Sequence, residues 1–213
     1  MSERKRGVID FNDPRRTGTA PLRSRGELPH LYKQGGSYFV TFRLWDTVIL
    51  PAQAQRWQEL QSLVVRPSRL HSREFARELA LASEPPLQSG CCILRDPGSA
   101  GLVQSALLHF DGQRYQLAAW CVMPNHVHVA YTALAEHSPQ DIHHSWKSYT
   151  SHQINALLGR CGVLLERESF DHLIRSLEHY EAYIAYIEEN PVVASLCARP
   201  EQWPFSSAAY FCS

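Results

Sequence analysis

The sequence predicts an α+β domain in which an antiparallel sheet is covered by helices. Three observations carry this. Residues 37–44 (SYFVTFRL) are a run of aromatic and β-branched residues, with Tyr38, Val40 and Phe42 on one face and Phe39, Thr41 and Arg43 on the other. Residues 114–122 form a second strand. The turn Met123-Pro124-Asn125 then leads into a third that carries His126 and His128, so the second and third are antiparallel neighbours. Runs with apolar residues at helical spacing lie between and after these strands. Strands, a tight strand-to-strand turn and interleaved helices together suit an α+β layer structure.

Taken in order, residues 1–30 carry Pro14, Pro21 and Pro29 among arginines and glycines without apolar periodicity, and read as an extended basic arm. Residues 31–213 form the folded domain, opened by the Gly35-Gly36 turn. Pro51 starts a helix over 51–64, with Ala54, Trp57, Leu60 and Leu63 at helical steps, and Pro67 ends it. A second helix is expected over 72–82, closed by Pro85-Pro86, with loop over 83–95. Asp96-Pro97 then precedes a helix carrying Leu102, Val103, Ala106 and Leu107, and Asp111-Gly112 turns the chain into the second strand. After the histidine strand, residues 132–140 read as a loop or short helix and 141–159 as helix. Residues 163–165 read as a short strand, 166–175 as a polar stretch and 177–189 as a helix ended by Asn190-Pro191.

The net charge is zero, so no global field marks the chain as a nucleic-acid binder. The distribution is uneven: residues 1–33 hold eight Lys/Arg against four acids, which makes the arm a phosphate-contacting candidate through Arg15, Arg16, Arg23 and Arg25; a solvated tail is the plainer alternative. The six cysteines have no CxxC spacing, which excludes a zinc ribbon and a disulfide scaffold and suits reduced thiols in a cytoplasmic protein. No apolar run is long enough to span a membrane, and the first residues lack a signal-peptide core.

His126 and His128 are one residue apart on a strand, so both imidazoles share a face while Val127 and Val129 enter a core. Two imidazoles side by side can hold one divalent ion, although His-x-His alone is a weak pattern. Further ligands are sought among Glu166, Glu168, Asp171, His172 and Asn190, and spacing does not choose between them. For Asp171 and His172, capping and surface polarity are the competing reading. A metal of this kind suits phosphoryl transfer, for which tyrosine is a competent nucleophile and leaving group. The last long helix offers Tyr180, Tyr183 and Tyr186, whose three-residue steps also read as packing. Tyr186 differs in having Asn190 at i+4 on the same helix face. Lys147 and Arg175 are candidate phosphate contacts, or solvated charges. His143, His144 and His152 are not spaced to form a compact cluster.

Residues 120–128 (WCVMPNHVH), 146–155 (WKSYTSHQIN), 166–175 (ERESFDHLIR) and 186–191 (YIEENP) resemble the REP-associated branch of the IS200-like single-tyrosine HUH transposases. Residues 38–44 and 203–207 fit the same branch. The resemblance covers roughly residues 29–208. It implies a ferredoxin-like core, binding of single-stranded or hairpin DNA, and a divalent metal (Mg or Mn) at the histidine pair. It also implies strand cleavage and joining through a 5′-phosphotyrosine. By the same resemblance Tyr186 is the nucleophile, five residues before the proline, Asn190 completes the metal site, and the arginine-rich segment before Pro29 reads a sequence flanking the hairpin. A monomer with a site built from one chain is expected, a dimer being the alternative. One departure stands out: Leu165-Glu166 replaces the Trp-Gln found in many relatives, adding a charge near the expected site. Two alternatives remain: a catalytically inactive, domesticated DNA-binding protein of the same fold, and a metal-dependent phosphodiester hydrolase that uses water.

Overall fold

The computed structural model describes residues 22–24, 29–31, 33, 35–47, 90–134 and 136–212. The helices expected over 51–64 and 72–82 lie outside these, as do Arg15, Arg16 and Arg25.

Within the segment expected to be an extended arm, β1 (Leu22–Ser24) pairs antiparallel with β2 (Pro29–Leu31), which places Arg23 opposite His30. β3 (Ser37–Arg43) follows the glycine turn. Gly36 is required there: a Cβ would stand 2.8 Å from the Tyr38 hydroxyl and 2.9 Å from the Lys33 carbonyl oxygen. A 3₁₀ turn, Ile93–Arg95, leads to helix α1 (Pro97–His109). Pro97 occupies its first turn, and the Asp96 carboxylate accepts from the Ser99 backbone N–H at 2.8 Å. Then come β4 (Tyr115–Val122), β5 (His126–Ala133), α2 (Pro139–Leu157), β6 (Phe170–Ile174) and α3 (Leu177–Val193). A 3₁₀ turn at Pro200–Gln202 and the short α4 (Ser207–Cys212) close the chain.

The main sheet runs β4-β5-β3-β6 with every neighbour antiparallel. In chain order its strands and the helices α1 and α2 read βαββαβ, with the first and third strands central. That is the ferredoxin-like arrangement.

The sheet buries both faces, each with its own apolar cluster. Tyr38, Val40, Phe42, Val127, Val129 and Tyr131 pack with α1 and α2 residues such as Val103, Leu107, Trp146 and Ile154. Phe39, Ala119, Cys121 and Ala130 pack on the opposite side against Tyr183, Tyr186 and Ile187 of α3. The first face also carries a buried polar chain: Trp146 donates to the Tyr115 hydroxyl at 2.8 Å, which donates to the Leu107 carbonyl at 2.7 Å. Buried polar groups satisfied in this way fix helix register as well as contributing stability. His143 joins this face through the Tyr131 hydroxyl at 2.8 Å, whereas His144 and His152 are exposed, so the three histidines are dispersed.

Two local expectations are corrected. The fourth strand is 170–174, not 163–165; Leu165 makes only an isolated bridge to Leu44. The last long helix does not stop at Asn190-Pro191 but runs to Val193, with Pro191 inside it. Proline removes one donor, but the Asn190 and Pro191 carbonyls are still taken up by the N–H groups of Ala194 at 3.0 Å and Leu196 at 2.8 Å. Ser195, at φ 57°, then turns the chain away.

Candidate active site

The site lies on the sheet face that α3 covers. β5 runs between β4 and β3, so its histidines are flanked on both sides. Across β3, His128 stands opposite Thr41 and His126 opposite Arg43; across β4, His128 stands opposite Cys121. Strand alternation puts all of these side chains on one face.

The two imidazoles are 4.6 Å apart between ring centroids and are inclined at 73°. Each is held through Nδ1: that of His126 lies 2.7 Å from the Asn125 side-chain oxygen, that of His128 2.8 Å from the Thr41 hydroxyl. An amide oxygen only accepts, so His126 Nδ1 carries a proton, and a neutral ring would present its lone pair at Nε2. This is the orientation in which an imidazole offers Nε2 to a metal while a neighbouring oxygen fixes its tautomer.

α3 brings the tyrosine. Its N-terminus is set by Ser176, whose hydroxyl accepts from the His179 backbone N–H at 3.3 Å. Two and a half turns later the Tyr186 hydroxyl reaches 3.3 Å from His128 Nε2, joining residues 58 apart in sequence. Thr41 and the Tyr186 hydroxyl thus sit at the two nitrogens of His128, and each can donate or accept according to the tautomer of the ring. Phe39 organises the surroundings: it stacks on Tyr183 with centroids 4.5 Å apart, lies 5.6 Å from His128, and meets Tyr186 edge-on at 5.5 Å. The three tyrosines of α3 are thereby distinguished. Tyr180 and Tyr183 are packed in the apolar cluster, and burial pushes the Tyr183 phenol well above its ordinary pKa. Tyr186 makes a hydrogen bond to the histidine pair.

Asn190 is fully buried one turn after Tyr186 on α3. Asp171 pairs with Val40, and its neighbour Leu173 packs with the α1–α2 cluster, so the sheet stands between Asp171 and the histidines. His172 shares their face but sits opposite Phe39, one row along, with its ring 5.8 Å from that of Tyr183. Burial, with the nearby charges of Arg175 and His179, lowers its pKa to about 4, so it is neutral at pH 7. No group of three or more His, Cys, Asp or Glu side chains converges as a metal site among the described residues. Any ion at the histidine pair would therefore draw on amide, water or substrate oxygens for the rest of its shell.

The cations are placed unequally. Lys147 is tied to the loop before β6, its Nζ donating to the Arg167 carbonyl at 2.8 Å and to the Ser169 hydroxyl at 3.1 Å; burial lowers its pKa to about 8. Arg175 is exposed just before α3. Arg43, to which the sequence reading gave no role, is the cation in register with a site histidine. The signal was present: Thr41-x-Arg43 and His126-x-His128 share the same period of two, and antiparallel pairing lays one over the other. Glu166 hydrogen-bonds through its backbone N–H to the Arg43 carbonyl at 2.9 Å. Burial raises its carboxyl pKa, opposed by the charges of Arg43 and Lys147.

Sheet order and the His–Tyr geometry define an α+β protein with a His-x-His pair facing a helix tyrosine. No family model matches the sequence. Comparison with curated proteins finds similarity to the REP-associated tyrosine transposase of Escherichia coli (strain K12), 28% identical over 95 residues, or 44% of this chain and 54% of that protein. The chain thus matches about half the length of that relative. Among solved structures, a REP-associated tyrosine transposase bound to a REP hairpin aligns with a TM-score of 0.47 at 20% identity, over 87% of this chain and 84% of the other. The chain resembles the REP-associated tyrosine transposases, as its motifs led us to expect.

Proposed function

We propose that this protein is a transposase-like protein that binds single-stranded or hairpin DNA and cleaves it through Tyr186. The observation that carries the reading is the 3.3 Å approach of the Tyr186 hydroxyl to His128 Nε2. The motif resemblance, the curated relative and that geometry point the same way.

The donor set suits a divalent ion. His126 and His128 would hold it through Nε2, with the Asn190 amide as the third protein ligand; imidazole favours Mn²⁺ over Mg²⁺, and phosphate oxygens suit both. When bound, such an ion supplies neutralisation of charge on the scissile phosphate. The chain's own residues supply the rest. Thr41 and Asn125 hold the imidazoles, and Phe39 sets the angle of the Tyr186 ring. In the cleavage step the Tyr186 oxygen forms a bond to phosphorus and the bond from phosphorus to the 3′ oxygen breaks. The phenol proton passes to solvent, and the 3′ oxygen leaves with the bonding pair and takes a proton from water. Joining reverses this with a new 3′ hydroxyl. A metal on His128 Nε2 would take the place of the Tyr186 hydroxyl at that nitrogen and leave the phenol beside the ion.

One observation favours the second reading, a DNA-binding protein without cleavage. Tyr186 and His126 are 0% exposed and His128 3%, so α3 covers the nucleophile. Incubation with labelled hairpin DNA and Mn²⁺ separates the readings. A covalent adduct that disappears in Tyr186→Phe is the expected outcome. DNA binding without cleavage establishes the second reading, and cleavage without an adduct establishes a water-using hydrolase.

A further inference from the structure

Arg43 is the last residue of β3 and the ladder partner of His126, at the end of the sheet where the chain enters the Met123-Pro124-Asn125 turn. Two residues earlier on the same face, Thr41 already touches His128 at 2.8 Å, so side chains of this strand reach the histidine pair. The two differ in exposure. His126 is fully buried, whereas Arg43 is half-buried. Its backbone is pinned on both sides, by pairing to β5 and by the Glu166 N–H at 2.9 Å. Of the other candidate cations, Lys147 donates to Arg167 and Ser169, and Arg175 precedes α3 on the surface. A guanidinium offers two parallel donors that match two phosphate oxygens and keeps its charge at any working pH.

We infer that Arg43 is the phosphate-binding residue of this site, its guanidinium donating to the non-bridging oxygens of the scissile phosphate beside the His126–His128 pair. The inference rests on the cleavage reading above and adds the group that anchors the substrate. The charge of Arg43 acts on the Glu166 carboxyl, which stands where many relatives carry glutamine.

The test uses the full chain, a fluorescent hairpin with single-stranded flanks, and Mn²⁺. Arg43→Ala and Arg43→Lys are compared with the unmodified chain for adduct formation, for the salt dependence of binding and for thermal unfolding. Arg43→Ala is expected to slow adduct formation by roughly 10²-fold, as for loss of a single donor to a developing oxyanion. It is also expected to lower the slope of log K against log salt by about 0.7, one single-strand phosphate contact. Arg43→Lys, which keeps the charge but loses the fork, recovers the slope and only part of the rate. A scan that replaces one flank phosphate at a time by neutral methylphosphonate guards against a folding artefact. At one position the unmodified chain loses affinity and Arg43→Ala does not. The inference is overturned if Arg43→Ala forms adduct at the original rate, or if every methylphosphonate weakens both proteins equally. If the unmodified chain forms no adduct at all, the cleavage reading falls, and the scan still decides whether Arg43 holds a phosphate.

Discussion

At the residue scale, the site depends on oxygens that hold the imidazoles from behind. Thr41 and Asn125 each fix one Nδ1, at 2.8 and 2.7 Å. Removing such a partner lets the ring turn and lowers the basicity of Nε2, which typically weakens metal affinity by about 10–100-fold. Thr41→Val, nearly the same shape, is therefore expected to weaken Mn²⁺ binding by at least about tenfold while leaving the unfolding midpoint almost unchanged. Unaltered Mn²⁺ affinity, measured by calorimetry, would show that the pair is not the metal site. For Tyr186→Phe the expectation is the reverse: Mn²⁺ affinity is kept or slightly improved, because the hydroxyl no longer occupies His128 Nε2, and the adduct is lost. Much of this was legible from the chain. The His-x-His alternation placed both imidazoles on one face, as the strand pairing shows, and the family resemblance proposed Tyr186 as the nucleophile. Arg43 and Thr41 were assigned to their face but given no task, because which β-strand lies over which is a register, and register is set by long-range pairing.

At the element scale, the helix α3 decides whether the tyrosine meets the histidines. It is anchored by the Ser176 cap at its start and by the Tyr183–Phe39 stack at its centre. Ser176→Ala should cost about 1 kcal/mol, the usual loss for an N-cap hydroxyl. Hydrogen exchange should quicken first in the opening turn of α3 rather than in β3–β5. Equal acceleration across the sheet would mean that the helix and sheet open as one unit. The elements also show where a sequence misleads. Residues 163–165 are aliphatic and look like a strand, but they make only the bridge to Leu44. The true edge strand, Phe170–Ile174, contains Asp171 and His172 and reads as polar. It forms because β3 presents an edge with the right register, and because four of its five residues, Phe170 to Leu173, are only half-buried and so tolerate polar side chains. The continuation of α3 through Pro191 was missed for a similar reason: proline in a last turn gives up one bond where carbonyls are already being handed to capping donors.

At the scale of the whole molecule, two properties follow from burying both faces of one sheet. The first is acid sensitivity. The folded His172 titrates near pH 4 and an unfolded histidine near pH 6.5. Between those values the unfolded chain binds more protons, so stability present above pH 6.5 is lost as the pH falls toward 4. Chemical denaturation at pH 7.5 and pH 5 should show this loss, and His172→Phe should diminish it; an unchanged pH slope in that variant would assign the loss to other groups. The second concerns how many chains make a site. β3, β5 and α3 of a single chain supply Thr41, both histidines and Tyr186, and a 3.3 Å hydrogen bond closes the set. One chain is thus geometrically sufficient, so adduct formation should be first order in protein at dilutions where only monomer sediments. A mixture tests the same point without relying on the oligomeric state. On the proposed cleavage, Tyr186→Phe would lack the nucleophile and the double variant His126→Ala, His128→Ala the pair, so neither is expected to form adduct alone. If each site is built within one chain, mixing them restores nothing. Recovery of adduct on mixing would mean that α3 of one chain serves the histidines of another, and that the covered tyrosine seen here is released by exchange of that helix between copies.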